Sequence, residues 1–318
     1  MRELAPALCN LCAERFGCGA EAERCWCADA TPDAAALGFS NSVDGCVCPH
    51  CLAAPLALSW SGGKDSILAL AALRERGVSP AALFTTVNAR HGRISIHGVR
   101  RELLRLQAES LGVPLVEIEL PDRCSYEEYS ALARLELQRP PLAACRKIAF
   151  GDLFLEEVRR TREEELASIG RAAIFPLWLC DTTRTADEFV DAGYEALVVC
   201  VDGARLPGAF AGRRYDRSFL RDLPASVDPC GENGEFHTLV LDGPLFAHRV
   251  DARAVEVVVR DGHVYCDLAA PSAPGRSRAS ARGFRAASTA HAPRGARDSP
   301  FERSRPAPSC GSRTSAGR

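Results

Sequence analysis

Six consecutive residues, Ser61-Gly62-Gly63-Lys64-Asp65-Ser66, could together hold a polyanion. Two glycines let backbone approach a ligand closely and adopt positive φ. Successive N–H groups at the start of a helix form an anion-binding concavity. Lys64 adds a compact, mobile point charge, and Asp65 a carboxylate able to hold magnesium. The familiar γ-phosphate loop closes a longer glycine-spaced turn on Lys-Ser/Thr, whereas here Asp65 follows the lysine. That loop is excluded, but a phosphate ligand still explains the residues better than a plain turn capped by Ser61. Lysine usage agrees. Of 39 basic residues 37 are Arg, and the only lysines are Lys64 and Lys147.

A second chemistry crowds the start of the chain. Cys9, Cys12, Cys18, Cys25, Cys27, Cys46, Cys48 and Cys51 are eight of the 15 cysteines, spaced C-x2-C, C, C-W-C and, after a gap, C-V-C-P-H-C. Paired thiolates on tight turns bind one ion, and two such knuckles complete a tetrahedral site. Eight thiolates suffice for two four-cysteine zinc sites, or for one with spare ligands. An iron–sulfur cluster and a set of free thiols are the alternatives. So short a segment, poor in Leu, Ile and Val, needs such a staple to fold. From Cys9 to Leu52, with Gly-Cys-Gly at 17–19 and Cys25-Trp26-Cys27, it resembles the small cysteine-rich family named for its Cys-Trp-Cys core. That resemblance implies metal binding and no particular activity.

The elements that must position the loop follow in alternation. Apolar runs predict strands at 56–60, 81–87, 114–119, 147–151 and 172–175, with helices at 65–76, 98–111, 125–138 and 152–168. Near-continuous apolar strands fit a parallel sheet covered on both faces. The expected fold is therefore a doubly wound α/β sheet, with ligands beyond the carboxyl ends of its strands. From about Cys180 the pattern changes to helix 184–192, strand 196–201, an Arg-rich loop, and strands near 236–242, 254–260 and 263–267. This predicts a smaller α+β domain. The boundaries read 1–52 for the cysteine-rich module, 55–179 for the loop-bearing domain, 180–269 for the second domain and 270–318 for a tail. Cys51 just precedes the first strand, so the module should sit at the amino-terminal edge of the sheet, away from the loop.

Composition bounds the rest. The 318 residues carry a net charge of −2, which splits into +8 for residues 271–318 and −10 for the remainder. The tail, without Leu, Ile or Val, is expected to be disordered. A folded part this acidic is a poor footprint for nucleic acid, and only the basic tail offers a route to one. No apolar run approaches the ~18 residues of a membrane span, and a cytoplasmic, reduced environment is expected.

The loop and its surroundings carry a sharper resemblance. Ser59-Trp60-Ser61-Gly62-Gly63-Lys64-Asp65-Ser66 is similar to the PP-loop of ATP pyrophosphatases. FTTVN at 84–88, IHGVRRELL at 96–104, FGDLFLEEVR at 150–159, FPLW at 175–178 and VVCVD at 198–202 narrow it. With GRRYD at 212–216 and DPCGENGEFHTLVLDGPLF at 228–246, residues 55–268 resemble the diphthine–ammonia ligase family. The resemblance implies a HUP-like, PP-loop fold and ATP with magnesium as cofactors. It further implies a ligase that adenylates a carboxylate, releases pyrophosphate and transfers ammonia. The carboxylate would belong to a small molecule or a protein, and residue 2 is Arg, so no amino-terminal Cys is present to hydrolyse glutamine.

On that reading Lys64, Asp65, Glu232 and Glu235 are the catalytic candidates. Ser61, Gly62, Gly63, Ser66, Asn88, His97, Asp152 and Arg213 join Lys64 and Asp65 as nucleotide-binding candidates. His237 is a further group able to shuttle protons. Many ligases of the family read Glu-Gly-Gly-Glu where this chain reads Glu232-Asn233-Gly234-Glu235, which keeps both carboxylates and leaves the acceptor open. Two other functions match the same residues: a tRNA-modifying PP-loop enzyme, and an ATP-binding sensor that docks a partner through its metal module.

Overall fold

The structure is a computed structural model that describes residues 5–18, 47–94 and 97–271. The chain opens with a hairpin, β1 (Ala5–Leu8) and β2 (Arg15–Cys18), followed after the undescribed stretch by α1 (Pro49–Ala53). Alternation then begins with β3 (Leu56–Ser59), α2 (Lys64–Glu75), β4 (Ala82–Asn88) and the short β5 (Arg93–Ile94). It continues through α3 (Arg101–Leu111), β6 (Leu115–Leu120), α4 (Tyr126–Leu137), β7 (Lys147–Ala149), α5 (Glu156–Ala167) and β8 (Ala172–Ile174). The parallel strands run in the order β6-β4-β3-β7-β8, and β5 folds back antiparallel on the end of β4.

Strand alternation explains why both faces are covered. Leu56, Leu58, Leu83 and Ile174 pack with α2 and α3, while Ala57, Phe84, Ile118 and Ile148 pack with Leu137 of α4 and Leu166 of α5. The doubly wound sheet expected from the sequence is present. Its winding reverses beside β3, because β4 and β6 lie on one side and β7 and β8 on the other. A crevice at that reversal is where such sheets take ligands.

The second domain comprises α6 (Thr182–Asp191), β9 (Glu195–Asp202), α7 (Arg217–Asp222), β10 (Phe236–Asp242), β11 (Arg253–Arg260) and β12 (His263–Ala269). Its four strands form an antiparallel sheet in the order β10-β9-β12-β11. Phe189, Tyr215, Phe219 and Phe236 fill its centre and belong to the same apolar cluster as α2 and α3. The two domains therefore share one core.

Two helices start later than the sequence suggests. α3 begins at Arg101 rather than residue 98, because Gly98 has φ +66° and Arg100 bridges back to Arg93. α5 begins at Glu156 rather than 152, leaving Asp152 in the loop that follows β7. The tail from residue 272 onward lies outside the described residues, as does most of the cysteine-rich segment. Among the described residues no helix is long and apolar enough to cross a membrane.

Candidate active site

The loop Ser61–Gly63 leaves the carboxyl end of β3 and opens α2, as the fold requires. Ser61 Oγ and Ser66 Oγ lie 2.8 Å apart, and Ser61 Oγ accepts from Gly63 N–H, so the two serines close the turn on itself. Gly62 has φ +78°, and a Cβ there would stand 2.6 Å from Gln107 Oε1. Gly151, after β7, passes so close that a Cβ would meet the Asp65 backbone at 2.9 Å. Contact dictates both glycines, and at Gly62 the positive φ does so as well.

The second domain grips this loop directly. Val240 N–H donates to the Gly62 carbonyl (2.9 Å), and Lys64 N–H donates to Thr238 Oγ1 (3.1 Å). Gln107, fully buried on α3, receives the Trp60 indole N–H at 2.9 Å. It also donates to the carbonyls of Gly62 and Val240 at 3.0 and 2.6 Å. Nothing local in the sequence marks Gln107, since its partners are 45 and 133 residues away.

A cleft of about 230 Å³ lies over the loop, lined by Ser61, Lys64, Asp65, His97, Asp152 and Glu232 among others. Lys64 is 2% exposed, and its Nζ donates to both Asp65 oxygens at 2.8 and 2.9 Å. Burial pulls this ammonium's pKa down, but the charge and hydrogen bond of Asp65, together with Cys230 and Glu232, outweigh it and the net shift is upward. Burial likewise raises Asp65, against the pull of Lys64. Glu232 Oε1 accepts from Leu153 N–H at 2.8 Å. Burial, opposed by that N–H and reinforced by the Asp65 charge, pushes Glu232 up to about 7.

His97 and His237 stack with ring centroids 4.2 Å apart. Burial and the nearby Lys64 charge lower His97 to about 4, and burial with His97 and Lys64 drives His237 well below its usual range. Both rings are therefore neutral at pH 7, and both are candidate acceptors.

A larger cleft of about 840 Å³ shares Ser59, Ser61, His97 and Arg162 with the first and is lined further by Phe84, Asn88 and Tyr129. Its size suits a drug-sized or nucleoside ligand. The candidates thus fall into three groups. Ser61, Gly63, Lys64, Asp65, Ser66, His97, Asp152 and Glu232 line the small cleft, with Gly62 within the loop, and Asn88 lines the large one.

Glu235 lines neither cleft. It is 2% exposed, and its Oε1 accepts from Asp228 N–H and Asn233 Nδ2, which makes it the brace of the 228–235 turn. Arg213 also lies outside both clefts, paired with Asp222 at 2.7 Å and stacked over Phe210.

Arg162 has no counterpart among the expected residues. It lines both clefts, pairs with Asp152 at 2.8 Å and lies 4.2 Å over the Phe150 ring. Its only sequence signal is a place on a charged helix, where a solvated face is the ordinary reading.

Asp65 and Asp152 line this cleft with hard oxygen donors of the kind magnesium takes.

At the other end of the sheet, the sulfurs of Cys9, Cys12, Cys48 and Cys51 lie within 4.8 Å of one another. Zinc–sulfur bonds of about 2.3 Å put tetrahedral sulfurs roughly 3.8 Å apart, and Cys12 and Cys48 stand at 3.8 Å. Cys48 N–H donates to Cys9 Sγ and Cys51 N–H to Cys48 Sγ, the backbone support a thiolate cluster needs. The cluster can hold a metal. Of the other four expected ligands, Cys25, Cys27 and Cys46 lie outside the described residues, and only the backbone of Cys18 is described.

Comparison with known proteins matches three stretches of the chain. Residues 55–169 match the diphthamide synthase N-terminal domain, 181–270 the diphthamide synthase C-terminal domain, and 9–53 the Cysteine-rich CWC family. The chain is similar to a diphthine–ammonia ligase of Schizosaccharomyces pombe, 26% identical over 232 residues, 65% of this chain and 38% of that protein. A diphthine–ammonia ligase of Danio rerio is 25% identical over 232 residues, again 65% of this chain and 90% of that protein. The match thus spans well under half of the yeast protein and most of the fish one. By its two matched domains the chain belongs to the diphthamide synthase family, with a cysteine-rich CWC domain ahead of them.

Proposed function

We propose that the protein is an ATP-dependent amide ligase that adenylates a carboxylate, releases pyrophosphate and transfers ammonia. The observation that carries this reading is the buried Lys64–Asp65 pair on the glycine loop, faced across one cleft by Glu232. The larger cleft beside it accommodates a nucleoside, and the shared Ser61, His97 and Arg162 lie where its phosphates would pass.

In the first step a carboxylate oxygen attacks the α-phosphorus, and the bond to the bridging oxygen breaks, its electron pair leaving with pyrophosphate. Lys64 and the loop N–H groups stabilise that leaving charge, a fixed dipole array costing no reorganisation. Magnesium, when held by Asp65 and Asp152, would supply further charge neutralisation. In the second step the ammonia nitrogen attacks the acyl carbon and AMP departs. The surplus proton goes to Glu232, whose pKa of about 7 suits a base at neutral pH. The loop glycines and Gln107 act by position alone.

The acceptor is a carboxylate on a small molecule or a protein, with diphthine the acceptor named for the two relatives. The zinc-type cysteine cluster lies away from the cleft and serves stability on this reading. The test is product analysis. With ammonium and a panel of carboxylates, one acceptor should elicit stoichiometric AMP and pyrophosphate. Formation of ADP and phosphate instead overturns the adenylation step.

A further inference from the structure

Of the four residues that line both clefts, Arg162 alone carries a charge at pH 7. It reaches the junction of the clefts from α5 and is held there by Asp152, in the loop after β7. Arg162 Nη2 donates to Asp152 Oδ1 at 3.1 Å, and Nε stands 2.8 Å from Oδ2. The shorter contact has the length of a hydrogen bond without its direction. Nε and Oδ2 are both buried and neither has a hydrogen-bond partner. Neither contact uses Nη1.

This pairing suits an empty cleft. The Asp152 charge acts on both Asp65 and Glu232, so three carboxylates crowd one space and the guanidinium offsets them. An arriving polyanion reverses that need. Lys64 meets it at a fixed place, tied to both Asp65 oxygens and 2% exposed. Arg162 is freer, with a side chain 29% exposed and its guanidinium 4.2 Å over the Phe150 ring. A cation over a ring face has no preferred direction in the plane, so the fork can turn from Asp152 to a phosphate without leaving the ring. In turning, Nε gives up a poorly directed contact for a charge-assisted hydrogen bond.

We propose that Arg162 binds the α-phosphate of the nucleotide, and that it does so by exchanging Asp152 for a phosphate oxygen. The assignment rests on the nucleotide placement given under the proposed function. With the nucleoside in the large cleft and the departing pyrophosphate on the glycine loop, the α-phosphate is the group at the junction, where Arg162 stands. Asp152 and the ligand then compete for one guanidinium. The apparent affinity for the nucleotide is lowered by the share of protein in which that pair is closed.

Calorimetric titration of the full chain with ATP, AMP and inorganic pyrophosphate, in EDTA, tests the exchange. Arg162→Met should weaken ATP and AMP by the same factor, about tenfold or more, and leave pyrophosphate at its wild-type affinity. That unchanged affinity, with unchanged circular dichroism, shows that the loop is intact. Asp152→Asn should tighten ATP and AMP by about fivefold or more, and the gain should largely vanish in the double variant. A gain of equal size with and without Arg162 would come from the removed negative charge alone and would overturn the exchange. Loss of pyrophosphate affinity in a folded Arg162→Met protein would move Arg162 to the loop phosphates, and unchanged ATP affinity would remove it from the site. A chain that shows the expected pattern yet forms no AMP with any acceptor refutes the ligation and keeps the exchange. Wild type that binds neither ATP nor AMP overturns both.

Discussion

Lys64 and Lys147 are the chain's two lysines, both buried, and the parallel sheet holds them at opposite ends. Lys64 follows the carboxyl end of β3, where its ammonium lies against both oxygens of Asp65. Lys147 opens β7, where its ammonium donates to the Leu52 carbonyl of the cysteine-rich module at 2.7 Å. Burial alone disfavours a charged lysine, and at Lys147 it wins, lowering the pKa. At Lys64 an adjacent carboxylate reverses the outcome. One residue type therefore serves as a fixed positive charge at the ligand end and as a strut at the other. The comparison separates chemistry from scaffolding within a single sheet.

The largest effect expected is a split between two matched substitutions. Lys64→Met should lower acceptor-dependent pyrophosphate release by about 10²–10³-fold, the usual cost of removing one preorganised charge. Lys64→Arg should not rescue it, because a planar fork does not fit a pocket that leaves the side chain 3% exposed. Lys147→Met should cost about 1–3 kcal/mol in stability, because the Leu52 carbonyl loses its donor, and leave turnover unchanged. Pyrophosphate release and urea unfolding measured side by side decide the matter. Loss of turnover in a folded Lys147→Met protein would break the division.

A smaller effect should follow from emptying the cysteine cluster. Cys9, Leu11 and Cys51 pack in the same apolar cluster as Leu56 and Ala172, so the module is docked on the amino-terminal edge of the sheet. Chelation, or Cys12→Ser, should lower the melting temperature by about 2–4 °C for each kcal/mol of metal-linked stability lost. Nucleotide affinity, measured calorimetrically, should stay at the wild-type value. A protein that keeps its circular dichroism yet loses ATP affinity would show that the two ends are coupled.

What the sequence made legible was mostly local. The glycine loop, the strand alternation and the cysteine spacing are each readable within a short window, and each is where it was expected. Cys9, Cys12, Cys48 and Cys51 converge because two such windows meet across the undescribed segment. Gln107 and Arg162 were illegible because their roles come from partners in distant elements. Asp267 is the same case. Buried on β12, it receives both Arg93 and Arg100, residues that flank His97, and so ties the second domain to the loop carrying that ring. Glu232 and Glu235 differ by three positions and look equivalent in sequence. Only the fold turns one toward the cleft and the other back into its own turn.

The smallest effect concerns the proton on Glu232. Its pKa rises from about 4.5 to about 7 on folding, so the native state holds a proton that the unfolded chain has lost between those values. Stability from this group is fully present below pH 4.5 and declines as pH rises through 7. Glu232→Gln has no such proton to lose. Its melting temperature should therefore match wild type near pH 4.5, overtake it progressively toward pH 7, and keep a constant lead above that. Groups that titrate alike in both proteins, such as the Lys147 strut, cancel in the difference. The same variant should slow ammonia transfer, since the base is gone, while sparing ATP binding. Parallel melting curves with no pH-dependent gap would mean that the cleft holds its proton elsewhere, and would move the base from Glu232 to the stacked pair His97 and His237.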